Sequence, residues 1–318
     1  MSLSSADISV IIPCLNAERT LGAALESVFN QTVPPREVLV IDDASTDGSV
    51  RVARSFGPRV RVLPNPAHGT GPARRLGVQE AKGKYIAYVD ADDLLEPLKH
   101  ERQLKVLERS DIHTYVHTGA WVFFDDPARP AVLRDSAAHA SGRCTAVVFE
   151  HNPICGPSIM VARQVILEVG NYDPDLWGTD DYYMSLACST CCDFVYLPEP
   201  LYRLRRHTGN MSNRRARMMY HHWLAQERWR QRFPEAYAAL PAEVLARCTA
   251  GILYATRRAY WERESNGYRQ LLKLARQLAP DDPQIRAQWR RRWVPMSALR
   301  LWDRTTQFLN RPPEVAAQ

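Results

Sequence analysis

Tyr85-Ile86-Ala87-Tyr88-Val89-Asp90-Ala91-Asp92-Asp93 is an apolar, aromatic run that stops in three carboxylates within four residues. Its length and composition are those of a buried strand. Carboxylates gathered at the carboxyl end of a strand repel one another, and a core offers them no compensation. Such a cluster stands where a cation can sit on it, and hard oxygen ligands suit Mg²⁺ or Mn²⁺, ions that arrive with phosphates. The competing reading is a solvated acidic loop that caps the next helix near Glu96.

The residues upstream favour a site. Residues 8–13 form a short apolar run ending in Pro13-Cys14-Leu15-Asn16, and 17–30 place Leu21, Leu25, Val28 and Phe29 on one side of a helix. A second strand over 37–41 ends at Asp42-Asp43. Asp47-Gly48-Ser49 opens a helix to about 56, with Thr46 or Asp47 able to cap it. A third strand covers 60–63, and Gly71-Pro72 starts a helix to about 81, ahead of the strand to Asp90. Strand and helix alternating at this length imply a doubly wound, mostly parallel α/β sheet. Ligands of such sheets bind beyond the carboxyl ends of the strands. Asn16, Asp42, Asp43, Asp90, Asp92 and Asp93 all fall at or just past those ends. Capping accounts for Thr46 and Asp47 but not for the pair Asp42-Asp43, one of which can accept hydrogen bonds from a base or a ribose.

The 318 residues are 45% hydrophobic and 24% charged, the balance of a soluble globular protein with a sizeable core. No run reaches the ~18–20 uncharged apolar residues of a membrane span. Met1-Ser2-Leu3-Ser4-Ser5 lacks the basic and apolar regions of a signal peptide, so a cytoplasmic protein is expected. Seven cysteines, irregularly spaced, include one cluster, Cys188, Cys191 and Cys192, with no partner pair at zinc-site spacing. Buried or free thiols in a reducing cytosol are the better reading.

The stretch 111–210 reads as short strands with two helices. From about 213 the pattern is almost wholly helical, broken at Pro234, Pro241, Pro280, Pro283 and Pro295. Much of the net charge of +6 lies there: Arg203, Arg205, Arg206, Arg214, Arg215 and Arg217, then Trp289-Arg290-Arg291-Arg292-Trp293. Such a surface suits polyanions, among which the sequence does not choose: nucleotides, acidic glycans, nucleic acid or anionic lipid head groups. The plainer reading of the Trp–Arg stretch is a solvated helix face with its tryptophans packed inward.

Taken in order, the motifs 8–13 with Asn16, 40–49, Gly71-Pro72-Ala73-Arg74, Gly83-Lys84-Tyr85-Ile86 and Asp90-Ala91-Asp92-Asp93 resemble glycosyltransferase family 2. Gly156-Pro157-Ser158, 169–173, Trp177-Gly178-Thr179-Asp180-Asp181, Tyr202-Arg203, Arg206-His207 and 209–212 extend the resemblance across about 7–212. It implies a GT-A type sheet and a catalytic domain over 1–212, and the helical pattern beyond it reads as an appended subdomain over 213–318. The implied activity is inverting transfer of a sugar from a nucleotide-diphosphate donor to a hydroxyl of a glycan or lipid-linked acceptor, with Mn²⁺ or Mg²⁺. By position, Pro13, Asn16, Asp42, Asp43, Arg74 and Asp90 fall to the nucleotide, with Asp43 facing the base and Asp90 the ribose. Asp92 falls to the metal, and His207, on the loop that closes over the diphosphate, also reaches it. Asp181 matches the catalytic base. The family's usual glutamate-aspartate pair is Asp180-Asp181 here, which leaves Asp180 as a second candidate, and the position after Arg74, often asparagine, is Arg75. A plainer role for both aspartates is as N-terminal helix charges favoured by the macrodipole. Nucleic acid is not an expected partner; peripheral contact of the basic C-terminal helices with the inner face of a membrane is.

The chemistry of sugar transfer fits this set. An acceptor hydroxyl must lose a proton as it attacks, which a nearby carboxylate can take, and no Ser–His or Cys–His nucleophile stands out. Two rival classes remain: a sugar-nucleotide-binding protein without transfer activity, against which Asp92 and Asp181 speak, and a nucleotidyltransferase. The latter wants a Gly-rich, basic phosphate loop after the first strand, whereas Pro13-Cys14-Leu15-Asn16-Ala17-Glu18 has no glycine.

Overall fold

The computed structural model describes residues 7–126, 128–134, 140–151, 153–262 and 264–294. The first half alternates as the sequence pattern predicts: β1 (Ile8–Cys14), α1 (Leu21–Phe29), β2 (Glu37–Asp42), α2 (Ser49–Ser55), β3 (Val60–Pro64), α3 (Thr70–Glu80) and β4 (Tyr85–Tyr88). Next come β5 (Leu94–Leu95), α4 (Lys99–Leu107), β6 (Thr114–Phe124), β7 (Val132–Arg134), α5 (Thr145–Glu150), β8 (Met160–Ala162), α6 (Arg163–Glu168), α7 (Asp180–Cys188) and β9 (Asp193–Arg206). The C-terminal part is α8 (Arg215–Arg232), α9 (Pro234–Ala238), α10 (Ala242–Glu262), α11 (Ser265–Leu278) and α12 (Pro283–Arg290).

One nine-stranded sheet runs β3-β2-β1-β4-β8-β6-β9-β5, with β7 beside β6. β1, β2, β3 and β4 pair in parallel, as do β6 and β9; β8, β5 and β7 join antiparallel. All of β1 is buried, as a central parallel strand covered on both faces must be. Its Pro13 stands past the end of the β4 ladder, which reaches only Ile11, so the missing N–H breaks no pairing with β4. The register sets Cys14 beside Asp42 and Asp42 beside Pro64, so the carboxyl ends of β1, β2 and β3 finish level.

The middle of the chain departs from expectation. Among the described residues it holds three α-helices rather than two, and two of its strands are long: β6 has 11 residues and β9 has 14. Two prolines, Pro198 and Pro200, lie inside β9, where strand patterns read poorly, and the β6–β9 register shifts beside Gly119, opposite Pro200.

The helices after 213 split their apolar faces. Ala225, Trp229, Leu240 and Val244 belong to the main core, while Ile252, Tyr260, Tyr268, Leu271 and Ile285 form a second cluster among α8, α10, α11 and α12. Trp229 is fully buried, donates Nε1–H to the Leu186 carbonyl at 3.1 Å and packs on Phe149 at 5.6 Å between centroids. Ending the chain at 212 should therefore leave insoluble or dye-binding protein, since a lost tryptophan in such a setting alone costs about 3–5 kcal/mol. Solubility and the cooperativity of melting check this; a soluble, cooperatively melting truncation would show that the helices are dispensable to the core. Trp289 packs inward on the second cluster as expected, but Trp293 is 78% exposed, and Arg292 lies over both rings. Pro295 and the rest of the chain lie outside the described residues. Among the described residues no helix is long and apolar enough to cross a membrane.

Candidate active site

The three aspartates after β4 separate by role. Asp93 is buried and turned inward: it accepts from the Tyr202 hydroxyl and the Arg205 backbone N–H, both at 2.6 Å. Burial, reinforced by Asp90 and Asp92, holds its carboxyl well above the usual range. Asp93 thus fastens β9 to the β4 end, and two carboxylates, not three, line the open cavity. Asp92 is one of them, and its Oδ2 lies 3.0 Å from His207 Nε2, 115 residues away. The contact exists because Arg205, just before His207, is anchored to this same loop: its Nε donates to the Asp92 carbonyl at 2.7 Å.

Asp90 is the other. Partial burial raises its carboxyl, against the pull of Arg74 and with a further push from Asp92. Arg74 projects from α3 and forks, Nη2 to Asp90 Oδ1 at 2.8 Å and Nη1 to Asp180 Oδ2 at 2.6 Å. Burial opposes its charge, and Asp180, Asp90 and Asp181 together outweigh that cost, so the guanidinium stays charged. Arg75 turns away from the site and donates to the Tyr172 carbonyl at 2.9 Å, clamping the segment that leads to α7, a packing role.

α7 begins at Asp180 after Gly178, whose φ of 67° lies in the left-handed region that favours glycine. The two aspartates occupy its first turn, where the dipole favours negative charge. They then differ. Asp180 is 1% exposed and held at both oxygens, taking Arg74 on one and the Thr70 hydroxyl at 2.9 Å on the other. Asp181 faces the cavity with its Oδ2 against the backbone of Gly156, where a Cβ would come within 2.1 Å. Loss of solvent and the neighbouring Asp180 raise its carboxyl to about 6, with Arg74 and the Tyr182 N–H pulling the other way.

These side chains open onto one cavity of about 1490 Å³, whose wall includes Pro13, Asn16, Arg74, Asp90, Asp92, Asp180, Asp181 and His207. Asp42 and Asp43 are not in that wall. Asp43 accepts from Asn65 Nδ2 and the Gly69 N–H, both at 2.8 Å, and Asp42 from the Ser45 N–H at 3.3 Å, so both shape loops. Asn16, at φ 50°, accepts from the Thr46 N–H at 2.8 Å. Asp47 takes the Ser49 and Glu18 N–H groups, each at 3.0 Å, and so ties the first two loops together as well as opening α2.

Carboxylate and imidazole donors at Asp92 and His207 fit a divalent ion that also takes phosphate oxygens. Among the described residues no cluster of three or more His, Cys, Asp or Glu could hold an ion unaided. The cysteines are all free thiols, as expected.

Three features of the site carry no role in the sequence reading: Gly156 as the backstop of Asp181, Thr70 on Asp180, and the far wall of the cavity. That wall comes from α8 and α10, including His222, which stacks on Tyr182 at 3.8 Å. Gly156 lies in a motif already quoted; the helical wall has no local signal, because its spacing is that of any packed helix.

The chain has relatives of the same stamp. It is 36% identical over 126 residues to "Uncharacterized glycosyltransferase YibD" of Escherichia coli (strain K12), an overlap covering 39% of this chain and 37% of that one. It is 24% identical over 209 residues to "Uncharacterized glycosyltransferase RP339" of Rickettsia prowazekii (strain Madrid E), covering 65% and 66%. The chain thus spans between 37% and 66% of the length of these two relatives. Among solved structures, S. aureus TarS 1-349 in complex with UDP-GlcNAc matches with a TM-score of 0.57 at 14% identity, over 85% of this chain and 92% of that one. The same protein in complex with UDP matches with a TM-score of 0.56 at 15% identity, over 96% and 93%. At those identities the likeness is one of fold. The sequence profile of Glycosyl transferase family 2 matches residues 9–170, a stretch that holds the Asp90–Asp92 loop, Arg74 and Gly156 and ends before Asp180, Asp181 and His207. Spanning just over half of the chain, that match shows that the protein belongs to glycosyl transferase family 2.

Proposed function

We propose that this chain is an inverting, metal-dependent glycosyltransferase that moves a sugar from a nucleotide-diphosphate donor to an acceptor hydroxyl, on a glycan or a lipid-linked glycan. The observation that carries the reading is that Asp181 and the Asp92–His207 pair open onto one cavity, with Arg74 fixing Asp180 and Asp90 between them. The family and the UDP and UDP-GlcNAc of the TarS structures support a nucleotide-sugar donor.

In this reading Pro13, Asn16 and Asp90 bound the nucleotide, with Asp90 toward the ribose. Asp42 and Asp43 stand at the nucleotide's rim, Asp43 facing the base beside the loop at Asn65 and Gly69 that it holds. Arg74 fixes the carboxylates under the diphosphate. Asp92 and His207 would hold Mn²⁺ or Mg²⁺, which supplies neutralisation of the charge on the departing diphosphate. The acceptor oxygen bonds to the anomeric carbon as the carbon–oxygen bond to the diphosphate breaks, and its proton passes to the Asp181 carboxylate. Residues 1–212 carry this chemistry, and the helices from 213 form a subdomain that completes the site. Seven free thiols fit a reducing, cytoplasmic setting, with peripheral membrane contact through the basic C-terminal helices.

Calorimetry tests the donor half. UDP should bind at least about tenfold more tightly with Mn²⁺ than with EDTA, and Asp92→Ala should erase the difference. A panel of nucleotide sugars with Mn²⁺ then identifies the donor by thermal shift, since a bound donor at 100 Kd stabilises the fold by about 2.7 kcal/mol. Equal UDP affinity with and without metal in the unmutated protein would refute the metal-dependent reading.

A further inference from the structure

The cavity is larger than a donor requires. Ligand pockets of roughly 300–1,000 Å³ hold drug-sized molecules, and this one measures about 1490 Å³. Much of its wall beyond Asp181 comes from α8 and α10. Asp180 ties the start of α7 back to Arg74 and Asp90, while Tyr182 stacks on His222 of α8, so Asp181 sits at the seam between the two halves.

The far half is a groove between α8 and α10. Along α10 its wall carries Arg247, Gly251, Tyr254, Arg258 and Glu262, one helical stripe of four-residue and three-residue steps, beside the apolar Cys248, Ile252, Ala255 and Ala259. Fifteen steps of 1.5 Å rise from Arg247 to Glu262 make the stripe roughly 22 Å long, room for several sugar rings end to end. Trp223 of α8 lines the groove, and Tyr254, 41% exposed, presents its ring to solvent. Arg247 pairs with Glu150, and Arg258 with Glu262 at 2.6 Å.

We infer that this groove binds an extended oligosaccharide acceptor, several units long, with its terminal ring at Asp181; the inference rests on the transferase reading above. Sugar rings have apolar faces and polar edges. The faces suit Trp223 and Tyr254, and the edges suit ion pairs that retain donor and acceptor capacity. A polyprenyl chain suits the stripe poorly, because it would strip water from two Arg–Glu pairs and return no hydrogen bonds.

The test uses the full chain on an array of linear oligosaccharides from single sugars to long oligomers, beside vesicles carrying a polyprenyl phosphate. Binding should strengthen with glycan length over several units, and Tyr254→Ala and Arg258→Ala should each weaken the longer glycans at least about tenfold without affecting single sugars. Both positions are at least partly exposed, and melting curves verify that the variants fold. UDP affinity with Mn²⁺ serves as the separate readout. If UDP binds while the array stays silent, or binding ignores length, or the polyprenyl vesicles bind instead, the groove inference falls and the donor assignment stands. If UDP fails to bind while long glycans do, the donor assignment falls and the groove stands as a glycan site.

Discussion

Asp181→Asn should lower turnover about 10²–10⁴-fold while UDP affinity with Mn²⁺ stays near that of the unmutated protein. The amide keeps the shape of the side chain and removes its basicity. Turnover should also rise as pH climbs through about 6, because only the ionised carboxylate accepts a proton and its folded value lies near there, above the ordinary carboxylate range. Below that pH the group is protonated and transfer falls; in Asp181→Asn this acidic limb should vanish. Gly156→Ala gives an independent arm, since a Cβ there would meet Asp181 Oδ2 and displace the carboxylate, lowering turnover without altering the UDP site. Steady-state kinetics against pH with an identified acceptor checks all three. An Asp181→Asn protein that keeps most of its turnover would remove Asp181 from the role. Asp180, held by Thr70 and Arg74 at the same helix start, would then be the next candidate.

How far the sequence carries depends on whether a pattern is local. β1 to β4 were legible because each strand is a short, mostly apolar run and two of the helices have their own start signals, Asp47-Gly48-Ser49 and Gly71-Pro72. The carboxyl ends of such strands are where ligands gather, so Asp90, Asp92 and Asn16 could be placed from spacing alone. Asp93 could not be separated from its neighbours, because its inward turn depends on Tyr202 and on the Arg205 N–H, more than a hundred residues away. Asp42 and Asp43 stand out from their position at a strand end; that they also answer hydrogen-bond demand from Ser45, Asn65 and Gly69 has no local signal in the sequence. β9 was hidden by its prolines. The α8–α10 wall was hidden for another reason: a helix that packs on a core by one face and lines a groove by another carries no mark of which face does which.

Arg74→Ala should be among the most damaging single changes to the fold, at about 3–5 kcal/mol, read as a shift in the chemical-denaturation midpoint. The residue is buried and bridges two carboxylates that come from opposite ends of the site. Without it, Asp180 keeps only the Thr70 hydroxyl for a fully desolvated charge, and Asp90 loses the partner that opposes its protonation. Arg74→Lys should recover only part of the loss, because a compact ammonium lacks the planar fork whose two nitrogens each meet one carboxylate. The double variant Arg74→Met with Asp180→Leu should be less destabilised than Arg74→Met alone, since it removes the orphaned charge along with its partner. If the double variant is instead destabilised by the sum of the two single changes, the pair is not coupled, and the stability at this point comes from packing of the arginine stem.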